Sequence, residues 1–387
     1  MIFEPPISTD GDRTVLAQID RLRSELRFYL HEPRRWLGTL RRATFALAVQ
    51  GSNSIEGYHA SVEDVVSVIE DEEPLTADEE TRHAIAGYRD AMTYVLQLAG
   101  DPPTIDESLV KSLHFMMMKY DLTKHPGQWR PGAIWVENGV GEHVYAAPDR
   151  EMVEPLINEL LSKVNASDDV PMVRAAMMHL NLAMIHPFSD GNGRMARCLQ
   201  TLVLAGDGII PPVFSSIEAY LGRNTAEYYR VLGDVGRGEW RPDRSARPWI
   251  EFCLTAHHHQ AITMLRRMRE MEALWDGCEQ LVAKKRLPVR GVGALVDASR
   301  GLRLHRSLYI KLVQSSVGES VTEASATRDL RAFSEAGLIE PHGEKRGRWY
   351  GTSPQLRQLW LTVRAHRAAD DYTDPYSQIP QQALPGL

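Results

Sequence analysis

Twelve residues, His186-Pro187-Phe188-Ser189-Asp190-Gly191-Asn192-Gly193-Arg194-Met195-Ala196-Arg197, constrain this chain more than any other stretch. They set a base, a carboxylate, a glycine turn and two arginines between two apolar helical patterns. In the run before them, Val173, Met177, Leu180 and Met184 recur at helical spacing, so a buried helix delivers His186. Pro187 ends that helix, because its ring pushes the preceding residue out of the α region. Gly191 and Gly193 allow a tight turn whose backbone N–H groups form an anion nest. Met195, Leu199, Leu202 and Val203 then continue as a second helix that stops at Gly206. The glycine turn therefore opens a helix, where unpaired N–H groups and the dipole favour phosphate.

The side chains suit the same chemistry. Arg194 and Arg197 are three apart and share a helix face, and each carries a planar fork that fits phosphate oxygens. Asp190 is a hard oxygen ligand for Mg²⁺, which usually arrives bridging substrate phosphates. His186 is the side chain able to take a proton near neutral pH. Together they can break a nucleoside triphosphate and pass part of it to a hydroxyl. The competing reading, a glycine turn between two core helices with surface arginines, leaves every polar position without a role.

A second stretch is odd by itself. Helical patterns run over about 13–30 and from about 36 to 57, the second ending in Ser52-Asn53-Ser54-Ile55-Glu56-Gly57. Ser52 and Glu56 are four apart on one face, and Gly57 can cap the helix. A carboxylate at a helix C-terminus opposes the dipole by about 0.3–1 kcal/mol. Glu56 is therefore either exposed and screened or matched to a cation.

The motif resembles that of the Fic family, His-x-Phe-x-(Asp/Glu)-Gly-Asn-Gly-Arg-x-x-Arg, at all eight fixed positions. The resemblance implies a mainly α fold, a Fic-type helical core with a β-hairpin flap, and transfer of AMP from ATP to a Ser, Thr or Tyr hydroxyl of a protein. Carried over position by position, it makes His186 the base and Asp190 the Mg²⁺ ligand. Gly191, Asn192, Gly193, Arg194 and Arg197 become the phosphate cradle. Ser52 and Glu56 fit the family's (Ser/Thr)-x-x-x-Glu-(Gly/Asn) inhibitory motif, in the subclass with an N-terminal inhibitory helix, so Glu56 is expected to pair with Arg197. Ala133–Val136 and His143–Ala146 read as a hairpin and correspond to the flap that aligns the target peptide by strand addition. Tyr220, Asn224 and Tyr228 lie in stretches like the family's closing helices; they contact adenine or serve as packing and capping residues.

The remaining chain is ordinary globular sequence of 387 residues, enough for two or three domains. The expected divisions are an N-terminal helical region (1–100, with residues 1–12 as an extended arm), the Fic core (101–245), a helical linker (246–285), a second module (286–355), and a C-terminal helix with a disordered tail (356–387). In the second module a helix containing Leu308 and Leu312 precedes one over Ser325–Ala336, and Leu338–Glu340 and Arg348–Tyr350 flank a basic turn. This order looks like a winged helix-turn-helix, with Thr327, Arg328 and Arg331 on its recognition helix and Lys345, Arg346 and Arg348 on its wing. Residues 281–350 hold 13 Lys/Arg against 7 Asp/Glu, a net of +6 that leaves −13 elsewhere in a chain of −7. That charge suits DNA, and winged helices also serve as protein-docking modules. Three cysteines at unrelated spacings imply neither a disulfide framework nor a zinc site and fit the cytoplasm. No run of about 18 apolar residues could span a membrane. The expected partners are a target protein, the chain itself as substrate, DNA, and a second copy in a homodimer. The alternative function is a DNA-binding transcriptional regulator whose Fic core is inactive or senses nucleotide.

Overall fold

The computed structural model describes residues 1–137, 141–206, 208, 210–318, 320–344, 347–365, 367 and 373–377, apart from the side chains of 316 and 317. The middle of the flap loop (138–140), Lys345 and Arg346 of the basic turn, and most of the expected tail lie outside the described residues. The fold is mainly helical, and no described helix is long and apolar enough to cross a membrane. The chain divides into two units: Met1–Arg27 with Ala46–Ala261 and Thr373–Leu387, and Phe28–Phe45 with Ile262–Tyr372.

The first helices are α1 (Asp10–His31), α2 (Leu37–Ile55), α3 (Val62–Ile69), α4 (Glu79–Leu98) and α5 (Glu107–Met118). Side-chain oxygens of Ser61, Asp78 and Asp106 cap the N-termini of α3, α4 and α5, which is why those helices begin where they do. A two-stranded antiparallel hairpin follows, β1 (Trp135–Glu137) paired with β2 (His143–Ala146), with Trp135 opposite Ala146 and Val136 opposite Tyr145. Then come α6 (Val153–Ala166), α7 (Pro171–Ile185), α8 (Asn192–Ala205), the single turn α9 (Pro212–Ser215), α10 (Glu218–Arg223), α11 (Thr225–Gly236) and the 38-residue α12 (Arg247–Lys284).

In the first unit α7 and α8 form the central pair, with α6 packed on α7 and α4 and α5 packed on α8. Met172, Ala175, Met178, Leu180, Leu182 and Ile185 are buried around all sides of α7, so this helix needs neighbours on every face. One neighbour is α12, whose Trp249 Nε1 donates to the Ala176 carbonyl (2.7 Å). Of the expected arm (1–12), residues 1–9 are outside any helix or strand and residues 10–12 open α1, and the arm is docked rather than free. Ile2 and Phe3 are buried, and the Asn181 side chain bonds both the N–H (2.8 Å) and the carbonyl (3.1 Å) of Phe3. The expectation of a disordered tail needs correcting for residues 373–377. Tyr376 donates to the buried Asp12 carboxylate (2.9 Å), which gives this segment a polar anchor that its Pro- and Gln-rich surroundings do not advertise.

In the second unit the two helices expected from the sequence are α14 (Arg306–Val317) and α15 (Glu323–Glu335), preceded by α13 (Val292–Ser299). Strands β3 (Ile339–His342) and β4 (Trp349–Thr352) pair antiparallel, Leu304 bridges Tyr350, and α16 (Pro354–Ala365) closes the unit. Leu330 and Phe333 point inward. Asp329 ties α15 down by accepting from Arg290 (2.7 Å) and from the Tyr309 hydroxyl (2.7 Å).

Two histidines buried in the first unit make its stability depend on pH. Burial pushes His114 down to about 4 and His179 down to about 3, so both stay neutral in the folded chain. In the unfolded chain they take up protons near their ordinary value of about 6.5. Below that value the unfolded state binds more protons, and stability falls as pH drops from about 6.5 towards about 4. At pH 5 the expected loss is about 2 kcal/mol per histidine. Glu218, pushed up to about 7 by burial, works in the opposite sense, and the buried His257 works in the same sense. In denaturant melts the change in stability from pH 7 to pH 5 should therefore be less destabilising by about 2 kcal/mol in His114→Gln than in wild type. The same change in both would contradict it.

Candidate active site

The helix that carries His186 ends in an unusual conformation. His186 is left-handed (φ 51°, ψ 58°), and its N–H still bonds Leu182 O at 3.0 Å. A side-chain-bearing residue here costs of order 1 kcal/mol, and the surrounding bonds hold it. Its Nδ1 lies 3.1 Å from the carbonyl of Ala183. A carbonyl can only accept, so Nδ1 carries the proton and Nε2 keeps its lone pair. Burial lowers the pKa of the ring, which leaves it neutral and able to accept a proton.

The loop after His186 is fixed through its carbonyls. Arg130 Nε donates to His186 O (3.0 Å) and Arg130 N to Pro187 O (2.8 Å). The Asn192 side chain brackets Phe188, accepting from its N–H (2.9 Å) and donating to its carbonyl (2.8 Å). His114 accepts from the N–H of Gly127 at Nδ1 (2.8 Å), so its proton sits on Nε2 and is donated to Asp190 O (3.0 Å). The His114 ring also stacks on Phe188, with centroids 3.7 Å apart and planes 7° from parallel. With the carbonyls of His186, Pro187, Phe188 and Asp190 occupied and the Gly191 N–H donated to Asp190 Oδ1 (2.6 Å), the N–H groups of the first turn of α8 remain, where Gly191 supplies a left-handed N-cap (φ 76°). A Cβ on Gly191 would also lie 3.1 Å from Met118 Sδ.

Both motif arginines are buried and held. Arg197 Nε donates to Ser52 Oγ (2.8 Å), and its Nη2 donates to Ser52 O (2.9 Å) and Glu56 Oε1 (2.6 Å). The pair expected from the sequence is thus formed. Burial alone would raise the Glu56 carboxyl, but the charges of Arg197 and Arg194 outweigh it and hold it below the ordinary value. A Cβ on Gly193 would lie 2.4 Å from Glu56 Oε1, so this carboxylate rests against the first turn of α8. That placement answers the puzzle of Glu56. It opposes the dipole of its own helix and lies in the favourable field of another. Arg194 donates to Met118 Sδ (3.1 Å) and Tyr120 OH (3.4 Å), and the Tyr58 ring lies 5.1 Å from its guanidinium carbon. Arg194 Nε and Arg197 Nη1 are buried donors with no partner, as expected of a cradle built for more oxygens than it now holds.

A cavity of about 800 Å³ opens between this loop, the hairpin and α11. Glu56, His186, Asp190, Gly193, Trp135 and Tyr229 are among its lining residues. Asp190 is one-third exposed, with Lys124 Nζ at 4.0 Å and Arg194 Nη2 at 3.9 Å. Among the described residues no cluster of three metal-binding side chains exists. One carboxylate facing a phosphate cradle fits Mg²⁺, which takes its other ligands from water and substrate.

The three candidate nucleotide contacts divide. Tyr228 lines the cavity, but its hydroxyl is 3.0 Å from His179 Nε2 and faces the core. Tyr220 packs towards Phe252 and His259 of α12, and Asn224 donates to Tyr220 O (2.8 Å). Neither lines the cavity, because α10 is only six residues long and turns this face to α12. The neighbouring Tyr229 also lines the cavity and donates to Ile55 O at the end of α2 (3.0 Å). Sequence reasoning missed Arg130, His114 and Tyr229. The available signal was a Trp-Arg-Pro-Gly turn directly before the hairpin and a histidine on an apolar helix face.

Residues 104–204 match the Fic/DOC family model. Protein adenylyltransferase fic-1 of Caenorhabditis elegans is 27% identical over 244 residues, covering 61% of this chain and 45% of the relative. Protein adenylyltransferase Fic of Nematostella vectensis is 28% identical over 196 residues, covering 49% and 43%. The chain thus spans less than half the length of these curated relatives. Among solved structures, a Fic family protein from Desulfovibrio desulfuricans G20 superposes with a TM-score of 0.58 at 22% identity, covering 91% of this chain and 99% of that one. C. elegans Fic-1 superposes with a TM-score of 0.54 at 22% identity, covering 67% and 73%. Through residues 104–204 this chain carries a Fic/DOC domain.

Proposed function

We propose that this chain transfers AMP from ATP to a hydroxyl side chain of a protein, itself included, and that Glu56 restrains the reaction by occupying Arg197. The observation that carries the reading is His186, Asp190, Gly191, Asn192 and Gly193 lining one cavity, with a neutral, Nδ1-protonated His186 beside the first turn of α8. The names of the relatives, protein adenylyltransferases, support it.

In the proposed reaction a target hydroxyl oxygen attacks the α-phosphorus of ATP. His186 Nε2 takes the hydroxyl proton, the bond to the β-phosphate oxygen breaks, and pyrophosphate leaves. The N–H groups at the start of α8, with Gly191 and Gly193, hold the transferring group, and the Asn192 side chain keeps their loop in shape. Arg194 and Arg197 neutralise the β- and γ-phosphates. Mg²⁺ bound at Asp190 would supply charge neutralisation across the phosphates. Little covalent work falls to the protein, so positioning and electrostatics dominate. The flap would align the target as an added strand.

His186→Ala should abolish transfer from α-labelled ATP while leaving ATP binding nearly intact, because the phosphate contacts come from other groups. Transfer at the wild-type rate would remove His186 as the base. Glu56→Gly should label protein at least about tenfold faster than wild type, roughly 1.4 kcal/mol off the barrier. It frees a guanidinium of the kind that can be worth about 10³-fold or more in phosphoryl transfer. Glu56→Gly/Arg197→Ala should lose that gain. Labelling no faster in Glu56→Gly than in wild type would refute the restraint.

We infer a winged-helix reading for residues 286–355, with DNA as its partner. Thr327, Arg328 and Arg331 are all exposed on α15, although Arg331 pairs with Glu335 (2.7 Å). The full chain should shift duplex DNA at low salt, with affinity falling steeply as salt rises. An absent shift at low salt would favour protein docking. A shift with no AMP transfer from Glu56→Gly would favour a DNA-binding regulator with an inactive core.

A further inference from the structure

Arg130 is a buried cation whose hydrogen bonds go to carbonyls. It is 1% exposed, and the nearby carboxylates of Asp149 and Glu151 act on it only through their charge, with no ion pair to it among the described residues. Burial lowers its pKa, so keeping it charged costs stability that an apolar residue would not cost. A charge kept at such expense is there for its hydrogen bonds.

Those bonds go to three carbonyls in three places. Arg130 Nε donates to His186 O (3.0 Å), Nη1 to Gly132 O, and Nη2 to Pro148 O. Gly132 lies three residues before β1 and Pro148 two residues after β2. Its backbone N–H adds a bond to Pro187 O (2.8 Å). One planar fork therefore holds both feet of the hairpin and the backbone of the base together. A further link between the hairpin and α7 is Tyr145 OH to Met184 O (2.8 Å).

We propose that Arg130 is a positioning residue that locks the register of the target-binding hairpin to the position of His186. This inference rests on the reading of His186 as base and of the hairpin as target flap. An acceptor hydroxyl presented by the hairpin must meet Nε2 at hydrogen-bond distance, and a displacement of about 1 Å can cost on the order of a hundredfold. The two parts are far apart in sequence, so a shared rigid element is the direct way to fix their separation. Guanidinium suits the task because its five donors lie in one plane with fixed angles. A lysine ammonium is a point charge and cannot span the three carbonyls.

The test compares wild type with Arg130→Lys and Arg130→Gln by hydrogen exchange of the full chain. Both variants should lose protection together at residues 132–137, 143–148 and 186–191, while α4 and α12 keep theirs. In the Glu56→Gly background, Arg130→Lys should lower AMP transfer about tenfold or more at saturating ATP, with the KM for ATP within about twofold. Loss of protection in the hairpin alone or the loop alone would overturn the coupling, as would unchanged transfer in Glu56→Gly/Arg130→Lys. If Glu56→Gly itself transfers nothing, the proposed function has failed, and the exchange pattern still decides whether Arg130 joins the two segments. If neither variant folds, Arg130 is a stability residue and the positioning role is rejected.

Discussion

The site depends on the neutralisation of Arg197. A guanidinium with no solvent exposure costs several kcal/mol unless anions and acceptors surround it. Here Glu56 supplies the charge and Ser52 supplies two acceptors, so one turn of α2 satisfies most of the fork. The geometry is what a phosphate would require, since carboxylate and phosphate both accept from a planar donor pair. Removing the carboxylate would leave a buried cation with strong affinity for the next anion available. In the proposed function that anion is the terminal phosphate of ATP. The contact that stabilises the resting arrangement and the contact that aligns substrate are then alternatives for one side chain.

An anion cradle is made as much by what is turned away as by what is turned in. A loop offers equal numbers of N–H and C=O groups, and a phosphate is repelled by the second kind. In this chain the carbonyls of His186, Pro187, Phe188 and Asp190 are each bonded to Arg130, Asn192 or His114. None of these donors needs to touch the nucleotide. They act by turning four carbonyls away from the N–H groups at the start of α8. His114 can do this only as the neutral Nε2-protonated ring, and burial, which lowers its pKa to about 4, keeps it so.

The sequence made local patterns legible and tertiary partners illegible. The two helices around the motif, the hairpin, the helix ending at Gly57 and the α14–α15 pair follow from periodicity and from caps within a few residues. The Glu56–Arg197 pair was legible because Glu56 sits where its own helix repels it, and the motif offered a cation. Arg130 and His114 were not, because their meaning lies in carbonyls 56 and 76 residues away. Tyr220, Asn224 and Tyr228 are open on composition between nucleotide contact and packing, and only tertiary neighbours separate them: Tyr228 lines the cavity, while Tyr220 packs on α12. The six residues of α10 carry too few positions for periodicity to fix the direction of Tyr220.

Gly193 limits how this site can be controlled. A side chain there would clash with Glu56 and so would exclude the carboxylate from the first turn of α8. It would equally fill the space through which a phosphate approaches the same N–H groups. The loop therefore cannot discriminate against Glu56 without discriminating against its substrate. Selectivity has to come from the segment that carries the carboxylate, and its attachments are correspondingly numerous. Gly51 of α2 abuts Glu218 and Ala219 so closely that a Cβ would lie 2.5 Å from Glu218 O, and Tyr229 holds the carbonyl of Ile55. Tyr58, just beyond the helix, covers Arg194. Each of these contacts lies outside the twelve-residue motif and can strengthen or weaken the hold on α2 while the catalytic groups stay as they are. Under the proposed function, the setting of the restraint can thus vary independently of the chemistry.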